Sequence, residues 1–408
     1  MITQNDIKIL RETAKQYIEF AVSDENQNKV KLWRELHETG DSPPLIRIET
    51  SSFLDRWLPP LVCESEMGRY VERYLTEGIA KHTLVKDDEP IKPFIPSYIT
   101  AWYQLFGLDI KVDRVKDADG GDYAQKWRNI MESPSETDVL GITRMGVDRE
   151  WTKRNFDMLN ETFGDIIPVR PWGPHPDYSI AAHAFYLMGL ENMLAGFITE
   201  PDESRALFEK IAVDITEWHR FIERENLLTP EAEVAFTPYG KDGDKLLPCP
   251  KDPQKLIDTW AFMSCQEFAC VSPDMYGEFI FPIYQKAAEM FGRIMYACCE
   301  PVHLIWEPYL SKIPNIGAVS VTPWCDEFIM GEYLRGGPVI YTRKPHPSWL
   351  SGESFDEEGF ANHINTTLEA AKGCRLQFIY RDVINVRQKD CPGRAVEIMR
   401  DCIDKTYK

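Results

Sequence analysis

The chain lacks several features that would assign it to a common class of protein. No uninterrupted apolar run approaches the ~20 residues that span a bilayer. Its first residues have neither the charged nor the apolar segment of a signal peptide. No Cys-x-x-Cys pair is present, so zinc ribbons and thioredoxin-like motifs are unsupported. We therefore expect a soluble, cytoplasmic protein that makes no membrane contact.

Positive charge is scarce. The chain has 46 Lys and Arg residues against 65 Asp and Glu residues, which gives a net charge of −19. Nucleic-acid binding needs a basic surface that displaces counterions from phosphates, so we expect no nucleic-acid partner. The ten cysteines, in a chain without an export signal, indicate reduced thiols and not a disulfide framework.

The apolar patterning predicts an α/β protein. The hydrophobic fraction of 43% allows a sizeable core, and eight short strand-like runs alternate with helical segments. Short helical crossovers imply parallel strands, and eight such units predict a (β/α)8 TIM barrel. The alternative is an open doubly wound sheet, but no glycine-rich dinucleotide fingerprint follows any run. The predicted strands are 45–50, 90–96, 166–170, 259–267, 293–301, 316–322, 338–345 and 376–382.

The same pattern divides the chain into two parts. Residues 1–42 form a predicted N-terminal helical extension, and 43–408 form the predicted barrel. Two stretches, about 98–160 and 175–255, interrupt the alternation and are predicted insertions, largely helical.

Polar and reactive side chains follow each of the five late strands. In a barrel the carboxyl ends of the strands carry the active site. Core residues scattered at random would not fall at equivalent places on five strands, so this pattern predicts an enzyme. The residues are Glu267; Cys298, Cys299 and Glu300; Trp324; Lys344; and Arg381 with Asp382.

The run from Arg293 to Pro301 ends in two thiols and a carboxylate. Side chains alternate along a strand, so Cys298 and Glu300 share a face and could form a metal-ligand pair. The alternatives are that the thiols simply pack, as buried cysteines often do, and that Glu300 pairs with Lys344 or Arg381. Trp172 and Trp324 could line a pocket or could serve only in packing.

Three segments carry a resemblance to a known family. The run Ser272-Pro-Asp-Met-Tyr-Gly-Glu-Phe-Ile-Phe-Pro-Ile-Tyr-Gln-Lys286, the segment Cys298-Cys-Glu-Pro301 and the run Ile313-Pro-Asn-Ile316 resemble the uroporphyrinogen decarboxylase superfamily. The resemblance covers about residues 160–405 and implies a (β/α)8 barrel. The superfamily includes true decarboxylases and the zinc-dependent methyltransferases of corrinoid systems.

The motifs favour the methyltransferase branch. True decarboxylases carry a Met-Arg-Gln-Ala-Gly-Arg motif that grips tetrapyrrole carboxylates, whereas this chain has Arg47-Ile-Glu-Thr-Ser-Ser52. The methyltransferases bind zinc through His-x-Cys and a later cysteine. Here Tyr296-Ala-Cys298 matches only the cysteine, and the later ligand is replaced near Asp382.

The resemblance implies transfer of a methyl group between a small molecule and the cobalamin of a partner corrinoid protein, assisted by zinc. Cys298 and Glu300 are the expected metal ligands. Glu267, Lys344 and Asp382 are the expected catalytic groups. The alternative is a lyase acting on a small carboxylate, with Lys344 or Arg381 as anion clamp and Asp382 as acid. We expect the substrate to contact Trp172, Tyr296, Trp324 and Arg381.

Overall fold

A computed structural model describes residues 2–50, 53–54, 57–116, 122–229, 255–296, 298–383, 386 and 388–407. It contains these strands: β1 (Leu45–Ile48), β2 (Ile95–Tyr98), β3 (Ala101–Gln104), β4 (Val112–Lys116), β5 (Asp122–Trp127), β6 (Arg144–Val147), β7 (Val169–Trp172), β8 (Trp260–Met263), β9 (Arg293–Tyr296), β10 (Ile316–Val321), β11 (Ile340–Arg343) and β12 (Arg375–Tyr380).

Helices surround these strands. They are α1 (Gln4–Ala21), α2 (Asp24–Glu38), α3 (Glu66–Ala80), α4 (Arg149–Phe163), α5 (Ile180–Thr199), α6 (Pro201–Arg224), α7 (Pro273–Phe279), α8 (Phe281–Ala288), α9 (His303–Trp306), α10 (Glu327–Leu334), α11 (Ser348–Ser351), α12 (Glu357–Ala370) and α13 (Cys391–Thr406). None of the helices in the described part of the chain is long and apolar enough to cross a membrane.

The α/β prediction is confirmed, because six strands form one all-parallel sheet in the order β1-β12-β11-β10-β9-β8. The other two predicted strands, β2 and β7, form a separate parallel pair. Within the described ranges, strand pairing does not join β1 to β2, and β7 is linked to β8 only through a parallel bridge between Asp177, which follows β7, and Phe262 of β8. Closure into a complete barrel therefore stays a prediction.

Seven strands nevertheless contribute to one apolar cluster. Each of the seven supplies one buried side chain, and Phe94, immediately before β2, also belongs to the cluster. Trp33 and Leu36 of α2 cover the cluster. The opposite faces of the strands pack against the helices in a larger core. The seven strand residues are Leu45, Trp172, Trp260, Met295, Ala318, Ile340 and Ile379.

The first predicted insertion is not simply helical. It contains two antiparallel pairs, β3 with β6 and β4 with β5, followed by α4. These four strands are only four to six residues long and show little period-two apolar alternation, so the sequence did not reveal them. The second predicted insertion contains α5 and α6, and its part from 230 to 254 lies outside the described residues.

The edge of β1 that faces β2 is covered by acidic side chains. Glu49 N donates to Tyr380 O of β12, so the alternate amides of Ile46 and Ile48 point to the other side. Asp88 Oδ2 accepts from Ile46 N at 2.8 Å, and Asp87 Oδ2 accepts from Ile48 N at 2.7 Å. These carboxylates take the place of strand carbonyls along this edge.

We predict that Asp88→Ala destabilises the fold, because Ile46 N loses its acceptor and Arg400 loses its ion-pair partner. The expected loss in free energy of unfolding is about 1–3 kcal/mol for the buried amide alone. Denaturant titration measures it, with Asp88→Asn retaining one acceptor oxygen and the exposed Asp41→Ala as the control. Equal stability of Asp88→Ala and Asp41→Ala would contradict the role of this carboxylate.

Candidate functional site

The two thiols lie in a bend directly after β9. Cys298 is half-buried, Cys299 is exposed, and neither forms a disulfide. Their sulfur atoms are 3.6 Å apart. The hydrogen bond with Cys298 raises the pKa of Cys299, and burial and the charge of Asp382 act in the same direction.

Glu300 holds this bend in place by accepting hydrogen bonds from two backbone amides. The residue is only 3% exposed. Its Oε1 accepts from Cys265 N at 2.7 Å, and its Oε2 accepts from Cys298 N at 2.8 Å. Burial raises the pKa of Glu300, although the two amide donors oppose that shift. The carboxylate therefore joins the segments that follow β8 and β9.

The donor set does not fit the predicted zinc site. Both oxygens of Glu300 are engaged by backbone amides, so they are not directed at a shared metal position with Cys298. Across the described ranges, no group of three or more His, Cys, Asp or Glu side chains could hold a metal ion. A catalytic zinc site normally has three protein ligands.

Lys344 follows β11 and reaches the thiol segment. Its Nζ donates to Cys298 O at 2.8 Å. The residue is 6% exposed, and burial lowers the pKa of Lys344 to about 8, while the charge of Cys298 opposes the shift. The structure thus brings together the ends of β9 and β11, as the strand pattern predicted.

Arg381 and Asp382 bring the end of β12 to the same place. Arg381 Nε lies 3.3 Å from Glu49 Oε2 and 3.7 Å from Asp382 Oδ1. Asp382 has φ of 56°, a left-handed conformation that few residues other than glycine, asparagine and aspartate adopt. Such strained positions cluster at functional sites. Asp382 acts electrostatically on Cys299, and Arg381 acts on Lys344.

A cleft of about 680 Å³ opens beside these residues, and both Arg381 and Asp382 line it. The cleft extends between the β1 segment and the chain leading into β2, with α3 along one wall. Six Lys or Arg and five Asp or Glu side chains line it, so its charge is nearly balanced. The six basic residues are Lys29, Arg47, Arg73, Lys81, Lys92 and Arg381.

Charge pairs and tyrosines organise the cleft. Glu89 Oε2 accepts from Arg47 Nε at 3.0 Å and also pairs with Lys81, whose pKa burial lowers to about 8. On the α3 wall, Tyr70 donates to Pro96 O at 3.2 Å, and Tyr74 donates to Phe94 O at 2.7 Å. These hydrogen bonds hold α3 against residues 94–96, at the start of β2.

Glu267 lies in the turn after β8. Its Oε2 is buried and has no hydrogen-bond partner among the described residues. Burial raises the pKa of Glu267 to about 7, and the charges of Glu300 and Cys298 add to the shift. The charges of the thiol segment therefore act on Glu267, and this carboxyl group can gain or lose a proton near neutral pH.

Two of the predicted substrate contacts need correction. Tyr296 is fully buried, and its hydroxyl lies 2.8 Å from that of Tyr276 on α7, so it packs between the sheet and the helices. Trp172 is 3% exposed in the apolar cluster to which seven strands contribute, with Lys92 Nζ 4.5 Å above its ring. Trp324 is different, because it is 61% exposed at the strand-end face.

The strand pattern did not reveal the lining of the cleft. Arg47 is a charged residue inside the otherwise apolar strand Leu45–Ile48, and it is 7% exposed. A buried charge requires a partner, so an arginine within an apolar strand is a sequence signal for a nearby polar site. Lys81 and Glu89 gave no such signal, because they lie in segments that are polar throughout.

We predict that Glu300→Gln loosens the thiol segment. Glutamine offers one acceptor oxygen where two amides need acceptors, so about 1–3 kcal/mol of unfolding free energy should be lost. Denaturant titration gives the stability, and the rate of thiol alkylation should rise at Cys298. Glu289→Gln, at an exposed site, is the control. Unchanged stability and alkylation rate would show that Glu300 does not hold the bend.

We predict that Glu267 makes stability depend on pH. Its pKa rises from 4.5 to about 7 on folding, so the native state keeps a proton that the unfolded chain loses. Stability should therefore fall as pH rises from 4.5 to about 7 and then level off. Glu267→Gln should flatten this slope and be more stable than the parent at pH above about 7. Denaturant midpoints across this range test it, and parallel slopes would count against the buried carboxylate.

Comparison with protein-family models and with curated proteins finds no match. Among solved structures, the chain is similar to a methyltransferase from Methanosarcina mazei, with a TM-score of 0.47 and 12% identity over 93% of this chain and 98% of that one. It is also similar to a B12-independent methionine synthase from Shewanella sp. W3-18-1, with a TM-score of 0.35 and 12% identity over 73% and 75% of the two chains. Likeness at this level assigns neither a family nor an activity.

Proposed function

We propose that the protein is a methyltransferase that removes a methyl group from a small polar molecule, with Lys344 as the proton donor. The observation that carries this proposal is the position of Lys344. It is a buried ammonium group held against Cys298 O at 2.8 Å, where the ends of β9, β11 and β12 meet. Methyl transfer itself is the chemistry implied by the family resemblance.

Loss of a methyl group from a nitrogen or oxygen leaves the bonding electron pair on that atom, and a proton must neutralise the resulting negative charge. The bond between the methyl carbon and the heteroatom breaks as the methyl group passes to the second substrate. The bonding electron pair stays on the heteroatom, and a proton from Lys344 Nζ neutralises the negative charge there. A donor with a pKa of about 8 is mostly protonated at neutral pH and still releases its proton readily. The cysteine carbonyl fixes the direction of the ammonium group, so Cys298 is a positioning residue.

The cleft supports a small substrate with mixed or little charge. Its basic and acidic side chains are nearly equal in number, and Glu89 already pairs with both Arg47 and Lys81. A tetrapyrrole carrying many carboxylates would need a clear excess of basic groups. Lys344 does not itself line the cleft, but Arg381 and Asp382 do, and their charges act on Lys344 and Cys299 respectively. The proposal therefore places the substrate at the end of the cleft that these two residues form.

The methyl acceptor in this proposal is the corrinoid of a partner protein, which enters as a second substrate. This acceptor and the assisting zinc ion rest on the resemblance alone. Because the donor set around Cys298 and Glu300 does not fit zinc, the roles proposed for Lys344 and Cys298 do not depend on a metal.

The alternative is a lyase that releases carbon dioxide from a small carboxylate. The interaction between Arg381 and Lys344 favours it, since two neighbouring cations could bind a carboxylate. Against it, Arg381 already lies near Glu49 and Asp382. The two activities differ in their products.

We predict that Lys344→Met lowers methyl transfer by about 10²–10⁴-fold, which is the usual contribution of a general acid. Lys344→Arg keeps the charge but is too weak an acid to donate, so it should be nearly as inactive. The assay presents N-, O- and S-methyl compounds with free reduced cobalamin and detects the demethylated product by mass spectrometry. Activity of the parent should fall as pH rises through about 8.

Circular dichroism and thermal unfolding of both variants exclude loss of fold as the cause. Full activity in Lys344→Met, or activity that rises through the same pH range, would overturn the role of proton donor. Carbon dioxide release from small carboxylates, without methyl transfer from any compound tested, would establish the lyase alternative. Metal analysis of the parent and of Cys298→Ser tests zinc separately: equal metal content in both excludes Cys298 as a ligand.

A further inference from the structure

Cys298 and Cys299 are adjacent in sequence, and the proposed proton transfer needs neither sulfur atom. The two sulfurs are 3.6 Å apart, within reach of each other after small side-chain rotations. Cys299 is exposed and Cys298 half-buried, so dissolved reagents can approach them. We propose that this pair is a redox-active vicinal dithiol, which hydroperoxides oxidise to a disulfide and dithiol reductants restore.

The reaction balances with one equivalent of hydrogen peroxide. The thiolate of one cysteine attacks a peroxide oxygen, the O–O bond breaks, and a sulfenic acid and hydroxide form; the hydroxide takes up a proton to become water. The neighbouring thiol then attacks the sulfenic sulfur, the S–S bond forms, and a second water leaves. Two thiols lose two electrons and two protons, and the peroxide is reduced to two waters.

Adjacency makes the disulfide labile. The Cα atoms of neighbouring residues are about 3.8 Å apart across a trans peptide, whereas ordinary disulfides join Cα atoms about 4.4–6.8 Å apart. The ring that closes between Cys298 and Cys299 is therefore strained, and strained disulfides are readily reduced. This property suits a reversible modification and not a structural cross-link.

The contacts around the pair connect its redox state to Lys344. Drawing the two sulfurs from 3.6 Å to bonding distance also shifts the backbone torsions on either side of the peptide between the two cysteines, and the carbonyl of that peptide accepts from Lys344 Nζ. The amide of Cys298 is meanwhile held by Glu300. Oxidation should therefore displace the Lys344 ammonium group while the start of the bend stays anchored. This consequence rests on the proposed function, whereas the modification itself does not.

The other cysteines provide a matched control. Cys270 is exposed but has no neighbouring cysteine in sequence, and Cys249 lies outside the described residues. The experiment uses the Cys249→Ser, Cys270→Ser protein as background, with Cys298→Ser and Cys299→Ser added singly. Phenylarsine oxide serves as the probe of geometry, since trivalent arsenic holds two nearby thiols much more firmly than one.

We expect the background protein to bind one phenylarsine group that survives competition by a monothiol, and each single variant to lose that binding. Hydrogen peroxide should produce, by peptide mass spectrometry, the Cys298–Cys299 peptide lighter by two hydrogens, and dithiothreitol should reverse the change. Sulfinic acid at either cysteine without any disulfide, or arsenical binding that persists in both single variants, would overturn the proposal.

Activity separates this inference from the proposed function. Disulfide formation is read by mass and needs no substrate, so it stands or falls without the methyl transfer assay. If the oxidised background protein loses methyl transfer and regains it with dithiothreitol, the connection to Lys344 is supported. Full activity of the oxidised protein overturns that connection, even where the disulfide has formed.

Discussion

The buried carboxylate of Glu300 is the contact on which the arrangement of the site depends. It receives the amides of Cys265 and Cys298, which belong to the segments after two neighbouring strands. Without it, both amides would be buried next to a bend that has no regular secondary structure to satisfy them. Because it fixes the start of the bend, the carbonyl of Cys298 is directed at Lys344. Glu300, which the sequence predicted as a metal ligand, is thus a hydrogen-bond acceptor that holds two backbone segments together. Its contacts keep Cys298 in place beside Lys344.

A second use of acidic side chains accompanies the cleft. Among the described residues, β1 pairs with a strand on one side only, and the carboxylates of Asp87 and Asp88 satisfy its amides on the other. The backbones meet directly where Asp88 N donates to Ile46 O at 2.8 Å. Beyond that contact, Arg47, Lys81 and Glu89 meet between β1 and the chain leading into β2. The polar cleft therefore opens where regular strand pairing along β1 is interrupted.

The sequence predicted features that repeat and missed those that depend on single contacts. The six-stranded parallel sheet and the parallel pair β2–β7 could be predicted, because apolar runs and helical segments alternate regularly. That Lys344 would reach the thiol segment followed from the parallel strand ends. Alternation predicted that Cys298 and Glu300 share a strand face, but β9 ends at Tyr296, before both residues, and the Glu300 oxygens turn back to backbone amides. Tyr296 failed as a substrate contact because a motif position does not state which face a strand residue takes. The cleft could not be predicted, since its residues come from distant parts of the chain.

Two lysines with lowered pKa values lie in this part of the protein, and they have different partners. Burial lowers the pKa of both Lys81 and Lys344 to about 8. Lys81 lies between two carboxylates, 3.4 Å from Asp87 Oδ2 and paired with Glu89, so its ion pairs hold the wall of the cleft. Lys344 donates to the carbonyl of Cys298, and the charges of Cys298, Cys299 and Glu300 also act on it. The proton transfer that we propose is assigned to Lys344, which lies beside the thiols.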